Sequence, residues 1–162
     1  MNANANEELI HKLYTSFQNK DFATIRSCYH EKATFNDPAF TNLKGKEPSA
    51  MWHMLFGNND QVKVTFDNVK ADNFKGQARW IAKYPFSQTG REVTNVIHAS
   101  FEFQDGKIIR HVDEFDFYKW SKMAFGPIGF LIGWTSFFRR KLQSTVNEKL
   151  HKYIEKHPEY QK

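Results

Sequence analysis

The sequence predicts an α+β fold: helices first, then a curved antiparallel sheet, then a helical tail. Three observations predict it. Apolar residues recur at helical spacing near the start of the chain. Between residues 62 and 117, β-branched and aromatic residues fill four runs separated by turn signals. The last 44 residues, 119–162, differ in kind: an uncharged apolar stretch is followed by an amphipathic one.

Glu7 to Gln18 reads as a helix, with Leu9, Leu13 and Phe17 at four-residue spacing and Ile10 and Tyr14 beside them. Asn19-Lys20 breaks it. Asp21 then caps a second helix carrying Phe22, Ile25 and Tyr29 on its apolar face. Lys32 to Asp37 is a short strand and Phe40 to Leu43 a second extended piece. Gly45 and Pro48 precede a third helix through Met51, Trp52, Leu55 and Phe56. After the turn Gly57 to Asp60 come strands Val62–Ala71, Gln77–Phe86, Glu92–Phe103 and Lys107–Phe117. Thr89-Gly90 and Asp105-Gly106 are turns between them, the latter a strong hairpin signal. Met123 to Phe138 holds no charge but is short for a membrane span, and Gly126-Pro127 breaks it. Arg139 to Lys156 reads as an amphipathic helix with Leu142, Val146, Leu150 and Tyr153-Ile154 on one face.

A chain of 162 residues is expected to fold as one domain, residues 1–118, with residues 119–162 packed on it as an extension. The single cysteine, Cys28, rules out an internal disulfide and fits a reduced, cytoplasmic setting. The polar start, MNANANEELIHK, lacks the apolar core of a secretory signal. With 23 basic against 18 acidic residues, no broad basic face is expected and nucleic acid is not an expected partner. Aromatics are the outlier: sixteen Phe, six Tyr and four Trp make 16% of the chain. They build a dense core, pocket walls or an interface.

Two stretches carry candidate chemistry. Ala33 to Pro38 reads ATFNDP and puts the Asp37 carboxylate at the end of an apolar strand. In an apolar mouth its pKa rises, which makes it a general base near neutral pH; the alternative is a turn cap before Pro38. Arg110 to Phe117 reads RHVDEFDF, placing His111, Asp113 and Phe115 on one face of a strand and Asp116 on the other unless a bulge turns it inward. His111 and Asp113 form an acid or orienting pair, join Asp37 as metal ligands, or satisfy each other in the core. Metal and cofactors are not expected, and no Gly-rich phosphate loop, Cys-His pair or GxSxG element occurs.

The order helix, helix, ATFNDP strand, helix and four antiparallel strands, closing on GKIIRHVDEFD, resembles the ketosteroid isomerase and nuclear transport factor 2 superfamily. Within it the chain is most similar to the polyketide-cyclase (SnoaL-like) and limonene-epoxide-hydrolase branches, over about residues 6–118. The resemblance implies a cone-shaped roll whose strongly bent sheet wraps the helices around an apolar pocket. It also implies pairing of two copies through the outer face of the sheet. Asp37 matches the isomerases' catalytic base, which also precedes a proline. Their oxyanion tyrosine aligns at Leu13, one position from Tyr14, and their second oxyanion donor at Ala99. The epoxide hydrolases' Arg-x-Asp pair falls near Ile97 and Ala99, and of their closing motif only Phe115-Asp116 is matched.

The expected function is therefore that of a small pocket protein. One reading is a cofactor-independent isomerase, cyclase or hydrolase acting on a small apolar substrate. Asp37 is its base, with His111 and Asp113 as partners. Tyr14, Trp52, Trp80, Tyr84, Asn95, Phe101 and Phe115 line its pocket. The alternatives are a binding module without chemistry, and an interaction or membrane-surface protein acting through its tail. A homodimer is expected. The tail is expected to dock on the body as a lid, with a lipid surface as the other way to cover its apolar side chains.

Overall fold

Ile10, Leu13, Tyr14 and Phe17 share one side of α1 (Ala3–Asn19), and all four are buried. This is the computed structural model of the chain, describing residues 3–161. Helix α1 lies across the concave face of the sheet and is tied to β3 (Lys63–Ala71) and the turn after it. Asn6 donates to the Asp72 carbonyl, the Ala71 N–H donates to Glu7, and Gln18 donates to the Val64 carbonyl. Lys20 ends the helix in the left-handed region at φ 54°, and Asp21 caps α2 (Phe22–Cys28) by accepting the Thr24 N–H at 3.0 Å.

Tyr29 is not on that second helix. It is extended, with ψ 141°, and opens β1 (Tyr29–Asn36), which starts earlier than the sequence pattern indicates. The extended piece expected at Phe40–Leu43 reduces to β2 (Leu43–Lys44), because the chain turns sharply after Asn36. Helix α3 (Glu47–Phe56) has Pro48 in its first turn and buries Ala50, Met51 and Trp52.

Strands β3, β4 (Lys75–Pro85), β5 (Glu92–Gln104) and β6 (Lys107–Glu114) form an antiparallel run with inward residues alternating along each strand. The six-stranded order is β2-β1-β6-β5-β4-β3, and the β1–β6 joint is parallel. That one parallel joint departs from an all-antiparallel sheet, because β1 returns beside β6 rather than forming a hairpin with it. Register shifts in β3 at Asp67/Lys70, in the β5–β6 ladder at Glu102/Phe103 and in β1 bend the sheet into an open cone. The main core fills it: α1, α3 and the inner faces of β1 and β4 to β6, closed by Leu150 and Tyr160 of the tail.

Strand β6 ends at Glu114, not Phe117. Asp116 leaves the sheet and caps α4 (Phe117–Phe125), accepting the Lys119 N–H at 2.9 Å. It faces neither pocket nor partner strand. The tail continues as α5 (Pro127–Ile132), α6 (Ser136–Glu155) and a 3-10 turn, Pro158–Tyr160. The expected lid divides. Met123, Phe125 and Phe138 pack with Phe86, Trp120 and Val93 in a second cluster, while Ile128, Phe130, Leu131, Ile132, Trp134 and Phe137 stay exposed. The outer face of the sheet holds none of the large exposed apolar residues, although Ile81, Val96 and Val112 are half-buried there. Among the described residues no helix is long and apolar enough to cross a membrane.

Candidate active site

The turn after β1 is built by Asp37. Its Oδ1 accepts the N–H groups of Ala39 and Phe40 at 2.7 and 2.6 Å, and its own N–H donates to the Phe40 carbonyl. Asp37 also lines a cavity of about 390 Å³. That size lies within the range of roughly 300–1,000 Å³ typical of small-molecule sites. The walls are largely apolar and aromatic: Trp52, Trp80, Ile97, Phe115 and Trp120, with Leu142 and Val146 from α6. An open groove of about 540 Å³ along Lys70 to Gln77 and Ser100 to Glu102 is larger. Its lining carries the charges of Lys70, Asp72, Lys75, Glu102 and Arg110.

Desolvation pushes the Asp37 carboxyl up to about 7. The N–H of Phe40 opposes the rise, the charge of Asp113 adds to it, and the N–H of Ala39 opposes it again. The two carboxylates thus share one cavity, and Asp37 changes charge near neutrality.

Asp113 enters from β6 and is 2% exposed. Behind it runs a hydrogen-bonded chain. The Trp52 indole N–H donates to the Tyr29 oxygen at 2.9 Å, Tyr29 meets His111 Nδ1 at 2.8 Å, and His111 Nε2 meets Asp113 Oδ1 at 3.0 Å. Trp80 also points its N–H at that oxygen, at 3.4 Å. Trp52 can only donate, so the Tyr29 hydrogen is left for His111 Nδ1 and the Nε2 hydrogen for Asp113. Burial holds the Tyr29 phenol well above its ordinary pKa, so it remains a donor.

On the opposite wall, Tyr84 accepts the Trp120 N–H at 2.9 Å and keeps its own hydrogen for the cavity. Burial raises its phenol, the Trp120 bond opposes this, and the Asp37 charge adds to it. Asn95 lines the same space at 6% exposure, and its side-chain amide has no hydrogen-bond partner among the described residues. A side-chain amide in the wall of a cavity is a place for a polar ligand group.

Asp37, Asp113, Trp52, Trp80, Tyr84, Asn95 and Phe115 therefore meet at one cavity. His111, Tyr14 and Phe101 do not line it. The rings of Phe101 and Phe35 stand 4.4 and 5.0 Å from the His111 ring, and these aromatics seal the imidazole in the core. Tyr14 lies behind Trp80 at 5.7 Å, and its buried hydroxyl has no partner among the described residues. Among the described residues, no three His, Cys, Asp or Glu side chains gather as a metal-binding group. Sequence reasoning missed Trp120, Leu142, Val146 and the rim residue Lys149, all from the tail. The helical stripe of Leu142 and Val146 was visible, but not the wall it covers.

The SnoaL-like domain profile matches residues 10–111, well over half the chain. No curated protein matches the sequence. Among solved structures, an LEH-like epoxide hydrolase from M. tuberculosis is 18% identical at a TM-score of 0.64, covering 80% of this chain and 97% of its own. Bal32a, from a soil-derived mobile gene cassette, is 22% identical at 0.66, covering 75% and 97%. A protein with a ketosteroid isomerase-like fold from Catenulispora acidiphila, solved with trimethylamine, is 11% identical at 0.64, covering 74% and 94%. These likenesses concern the bent sheet and its enclosed helices; the profile match concerns the sequence itself. On the profile match the chain belongs to the SnoaL-like domain family, and the solved structures share its fold.

Proposed function

We propose that the protein catalyses cofactor-independent proton transfer on a small, mostly apolar carbonyl compound, with Asp37 as general base. One observation carries this reading: a carboxyl poised near pH 7, anchored through Oδ1 by two backbone N–H groups, in an apolar cavity. In the proposed step Asp37 takes a proton from the carbon beside the carbonyl. The electron pair moves into the carbonyl, and the oxyanion is held by the Tyr84 hydroxyl and the Asn95 amide. Asp37 then returns the proton to carbon. A positioned base contributes about 10²–10⁴ in rate and an oxyanion donor about 10²–10³. Burial, with a smaller addition from the charge of Asp113, keeps the proton affinity of Asp37 high.

The test is exchange of the α-hydrogens of an enolisable bicyclic ketone such as 2-decalone in D2O, followed by proton NMR. The expected result is acceleration by the native protein, a loss of about 10²–10⁴ in Asp37→Asn, and a loss of about 10²–10³ in Tyr84→Phe. Exchange by Asp37→Asn at the native rate would overturn the assignment.

A second reading is a binding pocket without chemistry. It is favoured by the Trp52–Tyr29–His111–Asp113 chain, which is satisfied within the core and holds its histidine away from any ligand. Ketone bound without exchange decides for it. In either reading a homodimer would cover Ile81, Val96 and Val112 on the sheet's outer face, and a monomeric mass by light scattering at micromolar concentration counts against that assembly.

A further inference from the structure

We infer that the tip formed by α5 and the start of α6 is a docking surface for an anionic lipid bilayer, on which the helix lies without crossing. The inference is independent of the chemistry in the cavity.

The first observation is the exposed apolar surface. Leu131 is 66% exposed, Trp134 70% and Phe137 67%, with Ile128, Phe130 and Ile132 beside them. A contiguous group of this kind marks an interaction site. The group is held in place. A Cβ on Gly129 would collide with the Ser121 carbonyl, and one on Gly133 would stand 2.6 Å from the Ser121 Cβ. The two glycines therefore let α5 rest on the backbone of α4, with its large side chains outward.

The second observation concerns the polar atoms of the tip. The last carbonyls of a helix are normally left to water. Here the Phe130 carbonyl accepts from the Tyr118 hydroxyl at 3.0 Å, Leu131 from the Trp134 indole at 3.0 Å, and Ile132 from the Thr135 hydroxyl at 2.7 Å. Three successive carbonyls at an exposed helix end are thus closed by side chains of the same hairpin. In water such closure gains little. In a hydrocarbon or interfacial phase, where an open carbonyl is costly, it removes the main barrier to entry.

The third observation is charge. Residues 117–147 contain Lys119, Lys122, Arg139, Arg140 and Lys141 and no acidic residue, so they carry a formal +5, equal to the net charge of the whole chain. The remaining residues balance at 18 basic and 18 acidic, since 23 less 5 is 18. Arg139, Arg140 and Lys141 are exposed immediately after Phe137 and Phe138. Apolar side chains flanked by an unopposed basic cluster match an anionic membrane surface. A second copy fits less well. A twofold contact would bring two copies of the Arg139 to Lys141 cluster to one interface, and residues 117–147 hold no acidic residue to offset them.

The test uses the full-length protein in flotation with phosphatidylcholine vesicles, with and without phosphatidylglycerol. Expected is flotation with the phosphatidylglycerol vesicles, loss of it at high salt, and weak or no flotation with phosphatidylcholine alone. Leu131→Ser combined with Trp134→Ser, and separately Arg139→Gln, Arg140→Gln and Lys141→Gln together, are each expected to lower binding at least about tenfold. Both variants alter exposed positions, so an unchanged melting temperature verifies that each is folded. Absence of flotation by the native protein overturns the inference, as does flotation unaffected by either variant. A native dimer that becomes monomeric in the Leu131/Trp134 variant, without vesicle binding, assigns the face to a second copy instead.

Discussion

Under the proposed function, protonation of Asp37 has opposite consequences for activity and stability. Its folded pKa of about 7 lies above the ordinary 3.8, so between those values the native state holds a proton that the unfolded chain has lost. Stability contributed by Asp37 is therefore complete below about pH 4 and falls as pH rises to about 7. The full loss is on the order of 4 kcal/mol. Asp37→Asn keeps an oxygen for the Ala39 and Phe40 N–H groups but cannot ionise. It should melt higher than the native protein at pH 8, and the difference should vanish near pH 4 in thermal melts. If Asp37 is the base, kcat/KM of the native protein should rise with pH through about 7. A second pair of substitutions separates satisfied from unsatisfied groups. Tyr14→Phe removes a buried hydroxyl that has no partner among the described residues, so chemical denaturation should show no loss, or a gain of about 1 kcal/mol. His111→Ala strips partners from both Tyr29 and Asp113 and should cost about 3 kcal/mol or more.

At the scale of the element, the informative join is β6 to α4. Phe115, Asp116 and Phe117 continue the alternation of the strand in sequence, yet Asp116 accepts the Lys119 N–H and starts a helix. Asp116→Ala should cost about 1 kcal/mol in thermal or chemical unfolding through loss of the cap. Gly129 governs the next join. Alanine there drives a methyl group into the Ser121 carbonyl, so Gly129→Ala should destabilise by about 1–3 kcal/mol. Hydrogen exchange should then show weakened protection in α4 and α5 before the sheet. Equal loss of protection throughout would mean the hairpin is not a separate local unit.

For the whole molecule, the tail bears on the site as well as on the core. Gln143 of α6 donates to the Pro38 carbonyl at 3.0 Å, one residue from Asp37. Leu142 and Val146 form cavity wall, and Leu150 is buried in the main core. Arg91 and Thr89, in the turn between β4 and β5, hold the Met123 and Ala124 carbonyls at the end of α4. We therefore expect that truncation after Tyr118 produces an aggregating or strongly destabilised protein, read by size-exclusion chromatography and melting temperature. A soluble truncation with native stability would show that residues 119–162 fold apart from the body.

Local periodicity by itself determined the α1 face, the four long strands, the Asp105-Gly106 hairpin and the α6 stripe, because each is a repeat of 2 or 3.6 residues that the burial pattern must respect. ATFNDP marked the end of β1 in the same way, since Asp before Pro builds its turn from neighbouring N–H groups. What lies across the sheet was decided only by tertiary structure. The inward direction of His111 was legible, but the rings of Phe35 and Phe101 seal it from the cavity, and those contacts join residues far apart in sequence. Tyr84 receives the indole N–H of Trp120 from 36 residues further along the chain. The tail's apolar side chains divide between docked Phe125 and Phe138 and exposed Leu131, Trp134 and Phe137 for the same reason. Composition states that they are apolar; only the packing of α5 on α4 through Gly129 and Gly133 decides which of them water meets.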